Sequence, residues 1–324
     1  MADRDLIAQW TRLSCAALAT CPGFRDGPAA EAQIRRQHTA TLCRARLDGH
    51  VAVKTGPRGL EAILTAHRDP GSWYGAEIHA VAIGAAPDAP DAPAWIVDAL
   101  RALGDLGPLD LNVPLAWRPV IDAILAADLG LGVDSVILVG DPRRALAALI
   151  DRHAPPADLT PWDLTAGPLR DEAEVDAALA LKRRVFAAHP EYCWFGAHPR
   201  FLARERADLL LRLDDPTDEL GEALRHDGRL VGLLGLHVTD DDPCWGRVAG
   251  VDLTLDPALW GRGLAKTLYR RGLTRLVERD VHVFKGGTAQ PPVLGLGRQM
   301  GRAAVSVYLR PRVAFDRAHF QGYV

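Results

Sequence analysis

Asp252-Leu-Thr-Leu-Asp-Pro-Ala-Leu-Trp-Gly-Arg-Gly-Leu-Ala-Lys266 is the stretch that decides the fold. An alternating, strand-like run ends at Pro257. A short glycine loop from Trp260 to Ala265 follows, and a helical pattern begins at once with Leu264, Leu268, Leu273 and Leu276. A strand, a glycine loop and a helix start together make a site for phosphate. The first amides of a helix lack intrahelical partners, and the helix dipole adds partial positive charge there. Gly263 lets the backbone approach an anion closely. Arg262 and Lys266 place full charges beside the loop. The loop is too short for Gly-x4-Gly-Lys-Ser/Thr and lacks Gly-x-Gly-x-x-Gly, which sets aside P-loop and dinucleotide readings.

Working outward, His282-Val-Phe284 reads as the next strand. Gln290 to Gly301 reads as a helix with prolines in its first turn, and Ala304 to Leu309 as a final strand. Gly286 to Gln290 joins the strand to that helix, with Gly286 and Gly287 reading as a sharp turn and Thr288 as helix cap. Upstream, Asp171 to Ala188 is helical, with acidic residues at its start. Asp227-Gly228 marks a hairpin leading into the apolar strand Leu230 to Val238.

The Asp252–Lys266 stretch resembles the acyl-CoA-binding motif of the GCN5-related N-acetyltransferase (GNAT) superfamily, Gln/Arg-x-x-Gly-x-Gly/Ala. Gly263 and Ala265 stand at the two small positions, with Trp260 where Gln or Arg is usual. The ending resembles that family's Asn-x-x-Ala-x-x-x-Tyr-x-x-x-Gly-Phe: Gln290 stands at the Asn, Val293 at the Ala, Gly301 at the Gly, and Gly297 at the Tyr. The resemblance covers roughly residues 160 to 312 and implies an α/β fold with a mixed, mostly antiparallel twisted sheet flanked by helices.

The 324 residues allow two domains. The first half faintly repeats the second. Leu42–Leu47, Asp48-Gly49 and His50–Thr55 read as a hairpin, Glu77–Ile83, Leu109–Val113 and Ser135–Val139 as strands, and Pro93–Leu103 and Arg118–Leu129 as helices. Residues 141–161 read as a connector, extended at Pro155-Pro156. The expected organisation is a degenerate GNAT-like domain over 1–145, a linker over 146–160 and a GNAT donor-binding catalytic domain over 161–324. The first half's counterpart of the glycine loop, Ala86 to Pro93, has three prolines and carries Asp88 and Asp91. Missing N–H donors and negative charge both disfavour pyrophosphate there. An unrelated α/β domain is the alternative.

Acyl transfer to an amine needs the amine deprotonated, the carbonyl polarised, the oxyanion stabilised and the thiolate accommodated. The resemblance implies that the strand before the loop splays from its neighbour and offers the amides of Leu253, Thr254 and Leu255 to the donor. It assigns Trp260, Gly261, Arg262, Gly263, Leu264, Ala265 and Lys266 to the phosphates and Gln290 to the pantetheine arm. Lys285 is a further phosphate contact or part of the turn. Asp252 and His237 are candidate bases, with His189 and Glu191 behind them. The alternatives are an N-terminal cap or a surface salt bridge for Asp252 and a packed core position for His237. With Gly297 at the Tyr position, Tyr308 is the substitute general acid, or else a packing residue. Glu191, Tyr192, Trp194 and Phe195 are candidates for the acceptor cleft, or a plug of apolar side chains. Asp240-Asp-Asp242 reads as a solvated loop lacking EF-hand spacing.

The expected activity is transfer of an acyl group from acyl-CoA, acetyl or longer, to an amine of a small molecule or peptide, without a metal. Alternatives are an acyl-CoA sensor or pseudoenzyme, or a transferase using an acyl carrier protein or aminoacyl-tRNA donor. A net charge of −3 gives no basis for bulk nucleic-acid binding. The five scattered cysteines form no Cys-x-x-Cys pair. No apolar run reaches the roughly 18 residues of a membrane span. A cytoplasmic setting is expected, and the Arg-, Ala- and Gly-rich composition suggests a GC-rich bacterial genome.

Overall fold

The computed structural model describes residues 2–69, 78–104, 107–188, 199–214, 221–288 and 290–311. The chain divides into two compact units. Of the described residues, one holds those within 2–137, 287–288 and 304–311, and the other those within 138–286 and 290–303.

The first unit begins with two helices, α1 (Asp3–Leu18) and α2 (Pro28–Asp48). Then come β1 (His50–Gly56), β2 (Gly59–Arg68), β3 (His79–Ala85), α3 (Ala92–Arg101), β4 (Leu109–Pro114) and α4 (Arg118–Ala126), with β5 (Leu131–Gly140) starting here. Pairing is antiparallel for β1–β2 and β2–β3 and parallel for β3–β4. One face of this sheet packs on α3 and α4 through Leu64, Val81, Ile96 and Ile124. The other packs on the first two helices through Leu6, Trp10, Leu42 and Ile63.

The second unit has α5 (Pro142–His153), β6 (Thr165–Gly167), α6 (Glu172–Ala188), α7 (Pro199–Asp214), β7 (Glu222–His226), β8 (Arg229–Asp242), β9 (Gly246–Leu255) and α8 (Leu264–Glu278). It continues with β10 (Val283–Thr288) and α9 (Pro291–Gln299). Pairing is antiparallel for β6–β7, β7–β8 and β8–β9 and parallel for β9–β10. Leu234, Ala249, Phe284, Leu273 and Met300 form the core on the α5, α8 and α9 face. Val175, Leu181 and Leu209 cover the other face.

Once α5 and β6 are passed, the second half of the chain repeats the element order of the first: two helices, three antiparallel strands, a helix, a parallel strand, a helix and a strand. The closing strand of the second repeat, β11 (Ala303–Pro311), pairs antiparallel with β4 inside the first unit. The last residues of β5, from Leu138, belong to the second.

Three sequence expectations are corrected. Leu42–Leu47 is the end of α2, because Leu42 and Ala45 are buried three residues apart on one helical stripe. The hairpin that Asp48-Gly49 suggested turns instead between Gly56 and Gly59. Residues 141–161 open with a helix: Asp141 caps it, its carboxylate accepting from the Arg143 amide at 2.8 Å, with Pro142 at the first position. Ala145 and Leu149, both fully buried, fix that helix to the core. Gly286 and Gly287 do not turn; both lie in β10, and Gln290 is the residue capping α9. The Asp227-Gly228 hairpin stands as read, both residues having positive φ (47° and 75°).

Candidate functional site

The glycine loop is built from its own hydrogen bonds. Asp256 accepts from the Ala258 amide at 3.0 Å and turns the chain after β9. The Trp260 indole N–H donates to the Leu255 carbonyl at 3.0 Å, and the Trp162 indole to the Arg262 carbonyl at 3.2 Å. Gly261 and Gly263 take φ of +75° and +80°, with open space where a Cβ would stand. Gly263 is the N-cap of α8, and no side chain caps that helix. Leu264 is 1% exposed and anchors the first turn in the core, while Gly261, Arg262 and Gly263 are exposed. An uncapped helix start beside two basic residues remains available to an anion.

Beside this loop the sheet opens. The parallel β9–β10 ladder runs Val248↔Val283, Ala249↔Phe284 and Gly250↔Lys285, and goes no further. β9 continues to Leu255 paired only with β8. The Asp256 amide donates to the Val231 carbonyl of β8 at 2.9 Å. Amides alternate sides along a strand. Asp252 and Thr254 therefore donate toward β8, whereas Leu253 and Leu255, beyond the last β10 pair, present theirs to the fork. Thr254, expected with the two leucines, has its amide turned away and is buried. The fork's closed end lies at Val251 and Gly286. A Cβ on Gly286 would stand 3.2 Å from the Val251 carbonyl.

On the α6–α7 face of the second unit, the structure gathers charge. Lys182 of α6, its side chain 9% exposed, ion-pairs with Glu205 of α7 and, at 3.1 Å, with Asp252. Burial pushes the Lys182 ammonium down, but the two carboxylates outweigh it and raise it above the ordinary lysine range. The packing around Asp252 pushes its carboxyl up. Lys182, then Arg212 and His237, outweigh that and hold it below the ordinary carboxylate range. Asp252 stands opposite Gly235 and His237 opposite Gly250, so the two side chains share a face. The Arg212 guanidinium lies over Gly235 and donates to His237 Nε2. His237 is exposed, which removes the core-histidine alternative. Lys182, Glu205 and Arg212 were not found from sequence; each sits in an ordinary helical pattern, and only the tertiary fold brings them to Asp252.

Other candidates separate. Tyr308 lies in the first unit, opposite Asn112, with which it hydrogen-bonds, and the Arg310 guanidinium stands 4.4 Å from its ring centroid. Lys285 stands 4.1 Å over the Trp245 ring. Gly297 is packed: a Cβ there would sit 2.5 Å from Leu138 Cδ1. Asp242 ends β8 and accepts from the Cys244 and Trp245 amides at 2.8 and 2.9 Å, while Asp240 pairs with Arg247. No metal-binding group of His, Cys, Asp or Glu is present among the described residues. His189, Glu191, Tyr192, Trp194 and Phe195 lie outside the described residues.

Residues 186–291 match the family described as Acetyltransferase (GNAT) family. No curated protein matches the chain. Among solved structures, a GCN5-related N-acetyltransferase from Sphaerobacter thermophilus is similar with a TM-score of 0.57 at 16% identity, over 94% of this chain and 90% of that one. A tandem GNAT protein from the clavulanic acid biosynthesis pathway gives 0.50 at 15% identity, over 95% and 94%. A glucosamine N-acetyltransferase region of a fungal multi-domain GH3 β-N-acetylglucosaminidase gives 0.53 at 14% identity, over 96% of this chain and 37% of that one. At these identities the likeness is one of fold. Residues 186–291 thus belong to the acetyltransferase (GNAT) family, within a mixed α/β chain folded like solved GCN5-related N-acetyltransferases.

Proposed function

We propose that the protein is an N-acyltransferase that moves an acyl group from acyl-CoA to an amine of a small molecule or peptide. The observation that carries this reading is the β9–β10 fork opening beside an uncapped, basic-flanked helix start. The pyrophosphate sits on the first turn of α8 beside Arg262 and Lys266. The pantetheine arm runs down the fork, where the Leu253 and Leu255 amides donate to its carbonyls. Gln290, at the start of α9, lies on the same arm. A carrier-protein donor would present the same phosphopantetheine chemistry.

On the acceptor side, Asp252 is held ionised and is a weak base toward a free ammonium. The amine therefore arrives neutral. Once the C–N bond forms, the nitrogen becomes acidic and loses its proton to Asp252 or to the exposed His237, directly or through water. The first half is proposed to be a GNAT-like domain without a donor site. In it Asp88 and Asp91 pair with Arg58 and Lys54, and the second residue of α3 is a proline.

The test is calorimetric titration of the purified protein with acetyl-CoA and long-chain acyl-CoAs, followed by thiol release with a panel of amines. One donor per chain, lost in Gly263→Glu, is expected: that substitution places a carboxylate on the anion site in a left-handed conformation. Two donors per chain would overturn the reading of the first half, and none would overturn the acyl-CoA reading. The packing of Leu138 against Gly297 favours one rival, a donor-binding protein without turnover. Donor binding with no thiol released by any amine would be its signature.

A further inference from the structure

Arg302 is a buried cation that the scheme above leaves unused. It follows α9, whose end is closed by Gly301 at φ +71° and by the Arg302 amide donating to the Gly297 carbonyl at 3.0 Å. That turn sends the side chain inward, where the residue is 6% exposed. Three glycines clear its path. A Cβ on Gly140 would meet Arg302 Cγ at 3.0 Å, one on Gly297 would stand 3.9 Å from Cδ, and one on Gly286 would stand 3.2 Å from Nη2. The guanidinium ends at the fork's closed end. Its Nη2 donates to the Leu138 carbonyl at 2.8 Å and reaches the Gly286 carbonyl at 3.4 Å. It also hydrogen-bonds Tyr269 of α8, and Cζ stands 4.6 Å over the Phe284 ring.

Among the described residues no carboxylate pairs with Arg302, and its Nε has no partner. Taking a guanidinium out of water is costly, which is why buried charges are ordinarily matched to a counter-charge. Two carbonyl oxygens and a phenol leave its charge uncompensated. Tyr269 is itself buried, and burial raises its phenol above the ordinary range. It thus stays protonated and can donate a hydrogen bond.

We propose that Arg302, with Tyr269 against it, stabilises the negative charge on sulfur as the thioester breaks, and so does the work for which Gly297 carries no side chain. This rests on the acyl-CoA reading. With the phosphates at the α8 start, the arm descends the fork from Leu255 to Val251, about 13 Å along the strand, toward the guanidinium. The amine nitrogen bonds to the carbonyl carbon, the C–S bond breaks, and its electron pair goes to sulfur. The proton lost by nitrogen leaves on the Asp252 side. Arg302 gains and loses none, and CoA departs as the thiolate.

The test needs no acceptor. The thiol of CoA bound to the full chain is titrated by thiolate absorbance, and the affinities of CoA and desulfo-CoA, which lacks the sulfur, are compared. The bound thiol is expected to ionise at least one pH unit below free CoA, which corresponds to about tenfold tighter binding of the thiolate than of the thiol. Arg302→Met should abolish that difference and leave desulfo-CoA binding unchanged; Arg302→Lys should restore part of it. Tyr269→Phe should lose a smaller part. A wild-type bound thiol that ionises no lower than free CoA overturns the proposal, even if Arg302→Met fails to fold. Equal weakening of CoA and desulfo-CoA in well-folded Arg302→Met overturns it too, by showing a structural role. If neither ligand binds the wild type, the acyl-CoA reading itself fails.

Discussion

Asp252 is a carboxylate kept charged by its neighbours, and its reactivity follows from Lys182 more than from its own surroundings. Removing the lysine leaves Glu205, 13% exposed, without its cation. Lys182→Met is therefore expected to destabilise the second unit by about 3 kcal/mol, as breaking a buried pair from one side does, read from the urea midpoint. Asp252→Asn keeps the shape and removes the negative charge. It should lower kcat by about a hundredfold, the usual size of a lost acid–base group, and leave acyl-CoA affinity unchanged. A loss of affinity instead would move Asp252 out of the acceptor side. Asp252 is legible in the sequence because it opens the glycine-loop stretch. Lys182 is not: it reads as one basic residue of a helix, and helix position alone does not say which strand it will face.

Elements set what those residues can reach. α1 and α2 meet through His38, stacked on the Trp10 ring with centroids 4.0 Å apart and hydrogen-bonded to Thr11 and Ser14. Burial lowers its imidazole from 6.5 to about 4. The unfolded chain therefore binds the proton more readily, and stability rises with pH between about 4 and 6.5 and is flat above. Urea midpoints at pH 7 and pH 4.5 should differ more for the wild type than for His38→Phe, which keeps the stack and cannot titrate; equal differences would rule out this histidine as the source. At the α9–β5 contact, Gly297→Ala drives a Cβ into Leu138. We expect a loss of about 1–3 kcal/mol, the usual cost of overpacking, and a double variant with Leu138→Ala that loses less than the two single losses added. A sequence reader sees Gly297 as the absence of a family tyrosine. Leu138 shows that the room for one is filled, and the two are 159 positions apart in sequence, beyond any local pattern.

The whole molecule is a repeat whose closing strands do not stay with their own halves. β11 ends the chain yet pairs with β4, Tyr308 opposite Asn112, and its Arg310 is held by Asp110 and Asp134 of the first unit. A chain ending at Arg302 should thus damage the first unit. Amide exchange at Leu111 and Val113 of β4 is expected to accelerate by orders of magnitude, while Val175 and Leu181 of α6 keep their protection. The reverse pattern would show that β11 contributes nothing to the first sheet. Among the described residues no helix is long and apolar enough to cross a membrane.

By itself the sequence determined the local grammar. The strand, glycine loop and helix around Gly263, the Asp227-Gly228 hairpin and the apolar period of α8 all rest on contacts within a few residues, where turn chemistry and side-chain period dominate. It also placed Asp252 and the Leu253–Leu255 strand beside the loop. It misread Leu42–Leu47 and residues 142–153, where an Asp-Gly pair and a proline run outweighed helical burial that only a packed partner reveals. The tertiary structure alone decided the rest: the parting of β9 and β10 beyond Gly250, the meeting of Lys182 with Asp252, the passage of Arg302 between three glycines, and the unit to which β11 belongs. Each depends on long-range packing, in which a residue's partner is chosen by the shape and charge of a distant segment.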